Sequence, residues 1–150
     1  MFKGDFPQKN WNDCLTIING KAYKGEYLKE GLFPICGSGG VMGYVDEAFC
    51  SKETVIIGRK GNINNPIYMS CDYWIVDTAF CLDVDRSILN PRYFYYWCKL
   101  FDFNQYNKQG VLPSLTKSDL LTIQMPIPPI EQQNRFERIY DQSDKSGYFN

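Results

Sequence analysis

Between Gly31 and Leu82 the apolar residues come in short runs, LFPIC, TVII, IYM and IVDTAFCL, separated by GSGG, GRKG and GNINNP. Runs of that length between glycine and asparagine turns predict a sheet of short strands. Val55-Ile56-Ile57 has no polar position on either face. It reads as a buried strand feeding the turn Gly58-Arg59-Lys60-Gly61. After Asn90 the period changes: Pro91 suits a first helical position, and Phe94, Trp97, Cys98 and Phe101 fall on one stripe. A helix is expected there, ending before Gly110. Thr116, three residues before Asp119, has the spacing of a capping box and predicts a helical turn over Lys117 to Leu121, followed by an extended run from Thr122 to Ile127. Pro128-Pro129 then marks a boundary. A second helix is expected from Pro129 to about Ser143, with Ile130, Phe136, Ile139 and Tyr140 able to share a face and Gly147 opposing continuation. The parse is one compact unit over 1–128 and a terminal helix beginning in 129–150, with no internal repeat.

Composition narrows the class. With 44% apolar and 16% aromatic residues, 150 residues supply one sizeable core. No stretch approaches the roughly 20 apolar residues of a membrane span, and MFKGDFPQKNW lacks a secretory apolar run, so a cytoplasmic protein without membrane association is expected. Six cysteines occur without a Cys-x-x-Cys pair, and histidine is absent. That leaves no mixed zinc site and no Ser-His or Cys-His catalytic arrangement; buried reduced thiols are the simpler reading. A net charge of −1 argues against a broad basic surface for nucleic acid. Any DNA binding must be local or completed by a partner.

Candidate chemistry is concentrated in the turns. Asn65-Pro66-Ile67-Tyr68 resembles, superficially, the Asn-Pro-Pro-Tyr motif of amino-group DNA methyltransferases, but it lacks the second proline, and no glycine-rich cofactor fingerprint accompanies it. A turn entering a strand is the better account. Gly37-Ser38-Gly39-Gly40 is either a plain strand connection or a loop offering backbone N–H groups to phosphate. Arg59 and Lys60, held between glycines, suit backbone contacts on DNA or a solvated hairpin equally well. Ser114, Thr116 and Lys117 offer hydroxyls and a cation in the same style, and Thr116 also suits a helix cap.

Taken in order, FPICGSGGVMGYVD, ETVIIGRKGNIN, DYWIVDTAFCLDV, LNPRYFYYWC and GVLPSLTKSDLLTIQMPIPPIEQQ resemble the target-recognition domain of type I restriction-modification specificity subunits, over about residues 31–133. The resemblance implies a mixed α/β (α+β) domain with a twisted mixed sheet and flanking helices, followed by the start of a spacer helix. It implies a non-catalytic protein that needs no cofactor or metal and directs a methyltransferase, and through it a restriction subunit, to double-stranded DNA. The family carries two recognition domains and two spacer helices; this chain matches one domain and the beginning of one helix, so it looks like a half-subunit or a truncated form that pairs with a second recognition half. Carried onto this chain, Ser38, Gly39, Gly40, Arg59, Lys60, Ser114, Thr116 and Lys117 are candidates to face the DNA backbone. Asn62, Asn64 and Asn65 are candidates for base contacts, since an amide bonds adenine in a bidentate manner. Ile130, Phe136, Ile139 and Tyr140 are the candidate partner surface. A competing reading is a fragment that occupies methyltransferase without reading DNA; a small methyltransferase is the enzyme alternative.

Overall fold

The computed structural model describes residues 6–108, 110 and 112–145. In chain order the first elements are β1 (Gln8–Asn10), α1 (Trp11–Cys14), β2 (Leu15–Asn19), β3 (Phe33–Gly37), β4 (Gly40–Val45) and β5 (Thr54–Gly58). They are followed by β6 (Ile67–Met69), β7 (Trp74–Ile75), β8 (Ala79–Val84), α2 (Pro91–Leu100), α3 (Lys117–Leu120), β9 (Gln124–Pro126) and α4 (Ile130–Lys145).

Strand β5 is buried at every position. It lies inside an antiparallel sheet of order β2-β8-β5-β6 that is covered on both faces. On one face Val55, Ile57, Phe80 and Leu82 pack with Trp11 and with Tyr93, Phe94, Trp97 and Cys98 of α2. On the other, Ile56 and Cys81 meet Cys36 and Ile75 from a second sheet of order β4-β3-β7. A strand apolar on both sides suits this sandwiched place, as the run Val55-Ile56-Ile57 implies. The second sheet is mixed, with β3 antiparallel to β4 and parallel to β7. A third, two-stranded sheet joins β1 to β9.

The mixed α/β class is therefore borne out, with the strands divided among three sheets. Two strands precede the expected start at Gly31. Leu15, Thr16 and Ile17 alternate buried, exposed and buried along β2, the period of a strand with one wet face.

The Asn90 side chain caps α2 by accepting from the backbone N–H groups of Arg92 and Tyr93, with Pro91 at the first helical position. The helix stops at Leu100, earlier than Gly110, because Phe101 is extended and the Asp102 side chain starts a separate 3-10 turn over Phe103–Tyr106. Thr116 caps α3 as its spacing suggests, accepting from Asp119 N. Helix α4 begins at Ile130, directly after the two prolines; Gly147 lies outside the described residues.

Helix α4 is tied to α2 by side chains. Gln133 is fully buried. Its Oε1 accepts from Asn90 N at 2.7 Å, and its Nε2 donates to the carbonyls of Ile88 and Pro128, both at 2.9 Å. Further along, Arg92 and the Tyr96 hydroxyl both reach Asp141 Oδ1, at 2.6 and 2.8 Å. Phe136 packs edge-on against Tyr93 and stacks on Tyr140.

Candidate nucleic-acid interface

Three loops separated by tens of residues in sequence meet at the end of the central sheet where β5 stops and β8 starts. The first is the hairpin turn Ser38-Gly39 between β3 and β4, closed by the pair Gly37↔Gly40, where Gly40 has φ of +112°. The second runs from Arg59 to Asn62. The third is the approach to α3 through Pro113 and Ser114.

Thr78 holds the first two together. Its carbonyl accepts from Arg59 N at 2.7 Å and from Lys60 N at 3.2 Å, while its Oγ1 accepts from Ser38 N at 3.3 Å. The third loop is laced to the second by backbone bonds: Gly61 N to the Pro113 carbonyl at 2.9 Å and Leu115 N to the Arg59 carbonyl at 2.8 Å. An isolated bridge between Lys60 and Ser114 completes the seam. Gly58 is the tightest point. A Cβ there would sit 1.9 Å from the Asn62 carbonyl oxygen and 3.0 Å from Ser38 Cβ, so only glycine lets the loops close. Gly61, with φ of +86°, takes a conformation that L side chains rarely adopt.

Of the residues singled out in the sequence, Ser38, Gly39, Gly40, Arg59, Lys60, Asn62 and Ser114 are thus brought together. Lys60 and Asn62 are exposed, whereas Arg59 is half-buried with its guanidinium 5.9 Å from the centre of the Phe80 ring. Lys117 is exposed at the start of α3, one residue past the Thr116 cap. Asp119 beside it pairs with Lys108 at 2.7 Å, and that hydrogen bond, with the Thr116 hydroxyl, holds its carboxyl below the usual range.

The three asparagines differ. Asn64 engages both ends of its amide inside the chain: Oδ1 accepts from Phe103 N at 2.9 Å and Nδ2 donates to Asp102 Oδ1 at 3.2 Å. All three are exposed. The Asn65-Pro66 pair leads straight into β6, the turn-into-strand arrangement. Thr78 is the component that sequence reasoning missed; a threonine between Asp77 and a buried strand carries no motif.

The four apolar residues of α4 also separate. Phe136 and Tyr140 pack on aromatic rings of α2, with Tyr140 5.2 Å from Tyr96. Ile130 and Ile139 are exposed, Ile139 by 58%. Five of the six cysteines are buried, and burial pushes the Cys14 and Cys98 thiols up and Cys36 to about 11. These three raised thiols are poor nucleophiles at neutral pH, whereas hydrogen bonding with Cys50 and Tyr73 lowers buried Cys81. Among the described residues no cluster of three or more His, Cys, Asp or Glu is placed to hold a metal, and no helix is long and apolar enough to cross a membrane.

Loops from distant parts of the chain are mounted on the ends of buried strands, beside a helix anchored by its own side chains, in a domain of mixed α/β fold. The chain matches the type I restriction modification DNA specificity domain over residues 4–146, and it belongs to that family. It is 27% identical over 114 residues to the type I restriction enzyme EcoprrI specificity subunit of Escherichia coli, an alignment covering 75% of this chain and 28% of that protein. Its fold is shared with the type I restriction-modification S subunit of M. genitalium, at a TM-score of 0.80 and 15% identity, over 97% of this chain and 41% of that one. The HsdS subunit of Thermoanaerobacter tengcongensis gives 0.72 at 16% identity, over 94% of this chain and 38% of that one. The chain therefore spans well under half the length of these relatives.

Proposed function

We propose that the chain reads one part of a DNA site for a type I restriction-modification complex and performs no chemistry itself. The observation that carries the reading is the convergence of three loops, two joined through Thr78 and the third laced to the second by backbone bonds, that present Ser38, Arg59, Lys60, Asn62 and Ser114. Arg59, Lys60 and Lys117 supply phosphate contacts, together with Ser38, Ser114, Thr116 and the backbone at Gly39 and Gly40. Asn62 and Asn65 are the base readers, and Asn64 positions their loop by holding the 102–103 turn. So few cations give modest affinity alone, which fits a domain whose grip on DNA is completed by methyltransferase subunits in the cytoplasm.

Residues 129–150 begin the spacer that meets those subunits. Phe136 and Tyr140 set the helix on the domain, and Ile130 and Ile139 face the partner. Through the methyltransferase the chain also serves a restriction subunit, and a second recognition half reads the rest of the site.

Selection from randomised duplexes by the chain assembled with its methyltransferase subunits tests this. A single enriched sequence is expected, together with no methyl transfer or cleavage by the chain alone. Assembly without enrichment makes the protein an interaction module instead. Ile139→Glu is expected to weaken assembly at least tenfold, more than it destabilises the fold; unfolding ahead of lost assembly would make the helix face core.

A further inference from the structure

The DNA-reading proposal leaves exposed apolar residues beside the Ser38-Gly39 turn without a role. Val41 and Met42 are the second and third residues of β4, just past the Ser38-Gly39 turn, and are 56% and 51% exposed. Met42 lies beside the cluster: its sulfur is 3.0 Å from where a Cβ on Gly37 would be, and Thr78 Oγ1 is 3.1 Å from the same point. That hydroxyl is the one that accepts from Ser38 N. The residue therefore stands beside the scaffold that places Ser38, Arg59 and Lys60, with about half of its surface left to solvent.

Core packing explains the covered half only. Val41 and Met42 lie on the same strand as exposed Tyr44, and exposed apolar side chains grouped beside a polar binding surface suit an apolar contact in the ligand. In the major groove of DNA the one apolar group offered by a base edge is the thymine 5-methyl. Cations that hold phosphates on one side fix which residues face the groove. With few cations in the cluster, discrimination must come from close contact with base edges more than from charge.

We infer that Met42, with Val41 beside it, is a specificity-determining residue that reads a thymine 5-methyl group in the major groove. The inference rests on the DNA-reading function proposed above. An unbranched thioether suits the task, since it adapts to a methyl group without a fixed rotamer.

The test uses the assembled complex and the duplex it selects, with each thymine replaced in turn by deoxyuridine, which removes only the methyl. The intact complex is expected to lose about three- to tenfold in affinity at one thymine, the scale of burying a single methyl within a well-packed contact. Met42→Ala should bind the thymine duplex more weakly and show no further loss with deoxyuridine there, whereas Met42→Leu should restore the difference. An unchanged deoxyuridine penalty in Met42→Ala, or equal weakening of both duplexes with the penalty intact, overturns the inference and leaves DNA reading standing. A wild-type complex that selects no sequence overturns the DNA-reading proposal itself.

Discussion

Around Thr78 the chain is held mainly by its backbone, through Arg59 N, Lys60 N, Gly61 N and Leu115 N and their carbonyl partners. Between α2 and α4 the opposite holds: Gln133, Asn90, Arg92 and Asp141 make the connection with side-chain atoms, and Tyr93, Tyr96, Phe136 and Tyr140 fill the space between them. A loop shaped by main-chain bonds keeps its form when its side chains are exchanged; a junction shaped by side chains does not. The first arrangement suits a surface whose side chains do the reading, and the second suits a fixed angle between a domain and the helix that leaves it.

The largest effect that would break this comparison comes from altering the backbone of the loops. Gly58→Ala places a methyl 1.9 Å from the Asn62 carbonyl oxygen, an atom of the main chain that cannot rotate away. A stability loss on the order of 3 kcal/mol is expected in urea unfolding. A change below about 1 kcal/mol would mean that the loops are not closed by that approach, and the contrast with the junction would fail.

Next in size is the junction. Gln133→Ala removes the acceptor of Asn90 N and the donor of the Ile88 and Pro128 carbonyls in a buried setting. Leaving those groups unsatisfied should cost about 2 kcal/mol. Hydrogen exchange sharpens the result: protection should fall along α4 while the amides of Lys60, Gly61 and Leu115 stay protected. Equal loss in both regions would make them one cooperative unit.

The two regions also differ in how far they can be read from sequence. Pro91 after Asn90, and Pro128-Pro129 before an apolar-periodic run, are local signals, and both helices begin where those residues put them. Glycine punctuation marks the turns at 37–40 and 58–61 for the same reason. What local pattern does not encode is which turns meet. Thr78 reaches Ser38 across 40 residues of sequence and holds Arg59 as well, a consequence of β3 standing in the sheet that adjoins the one containing β5 and β8. In sequence Gln133 is an ordinary polar position of an exposed helix, and its burial follows from the α2 N-terminus docking against it. Residue type alone makes Asn64 a candidate for base contact, and only the fold shows its amide engaged with Asp102 and Phe103.

The smallest effect on stability should accompany a large effect on binding. Lys60 is exposed, and Arg59 sits 5.9 Å from the Phe80 ring centre, a distance at which a partly exposed cation contributes only about 0.5 kcal/mol. Both residues join the cluster through main-chain atoms, which alanine keeps. Replacing both with alanine should therefore leave the unfolding midpoint nearly unchanged. In the assembled complex the same pair of changes should weaken binding across sequences and flatten the plot of log affinity against log salt by roughly one to two units, one for each phosphate no longer neutralised. An unchanged slope would turn this loop away from the DNA backbone. A changed sequence preference would make Arg59 and Lys60 readers of bases, and the division between a main-chain scaffold with phosphate-holding cations and a separate reading edge at Asn62 and Met42 would have to be redrawn.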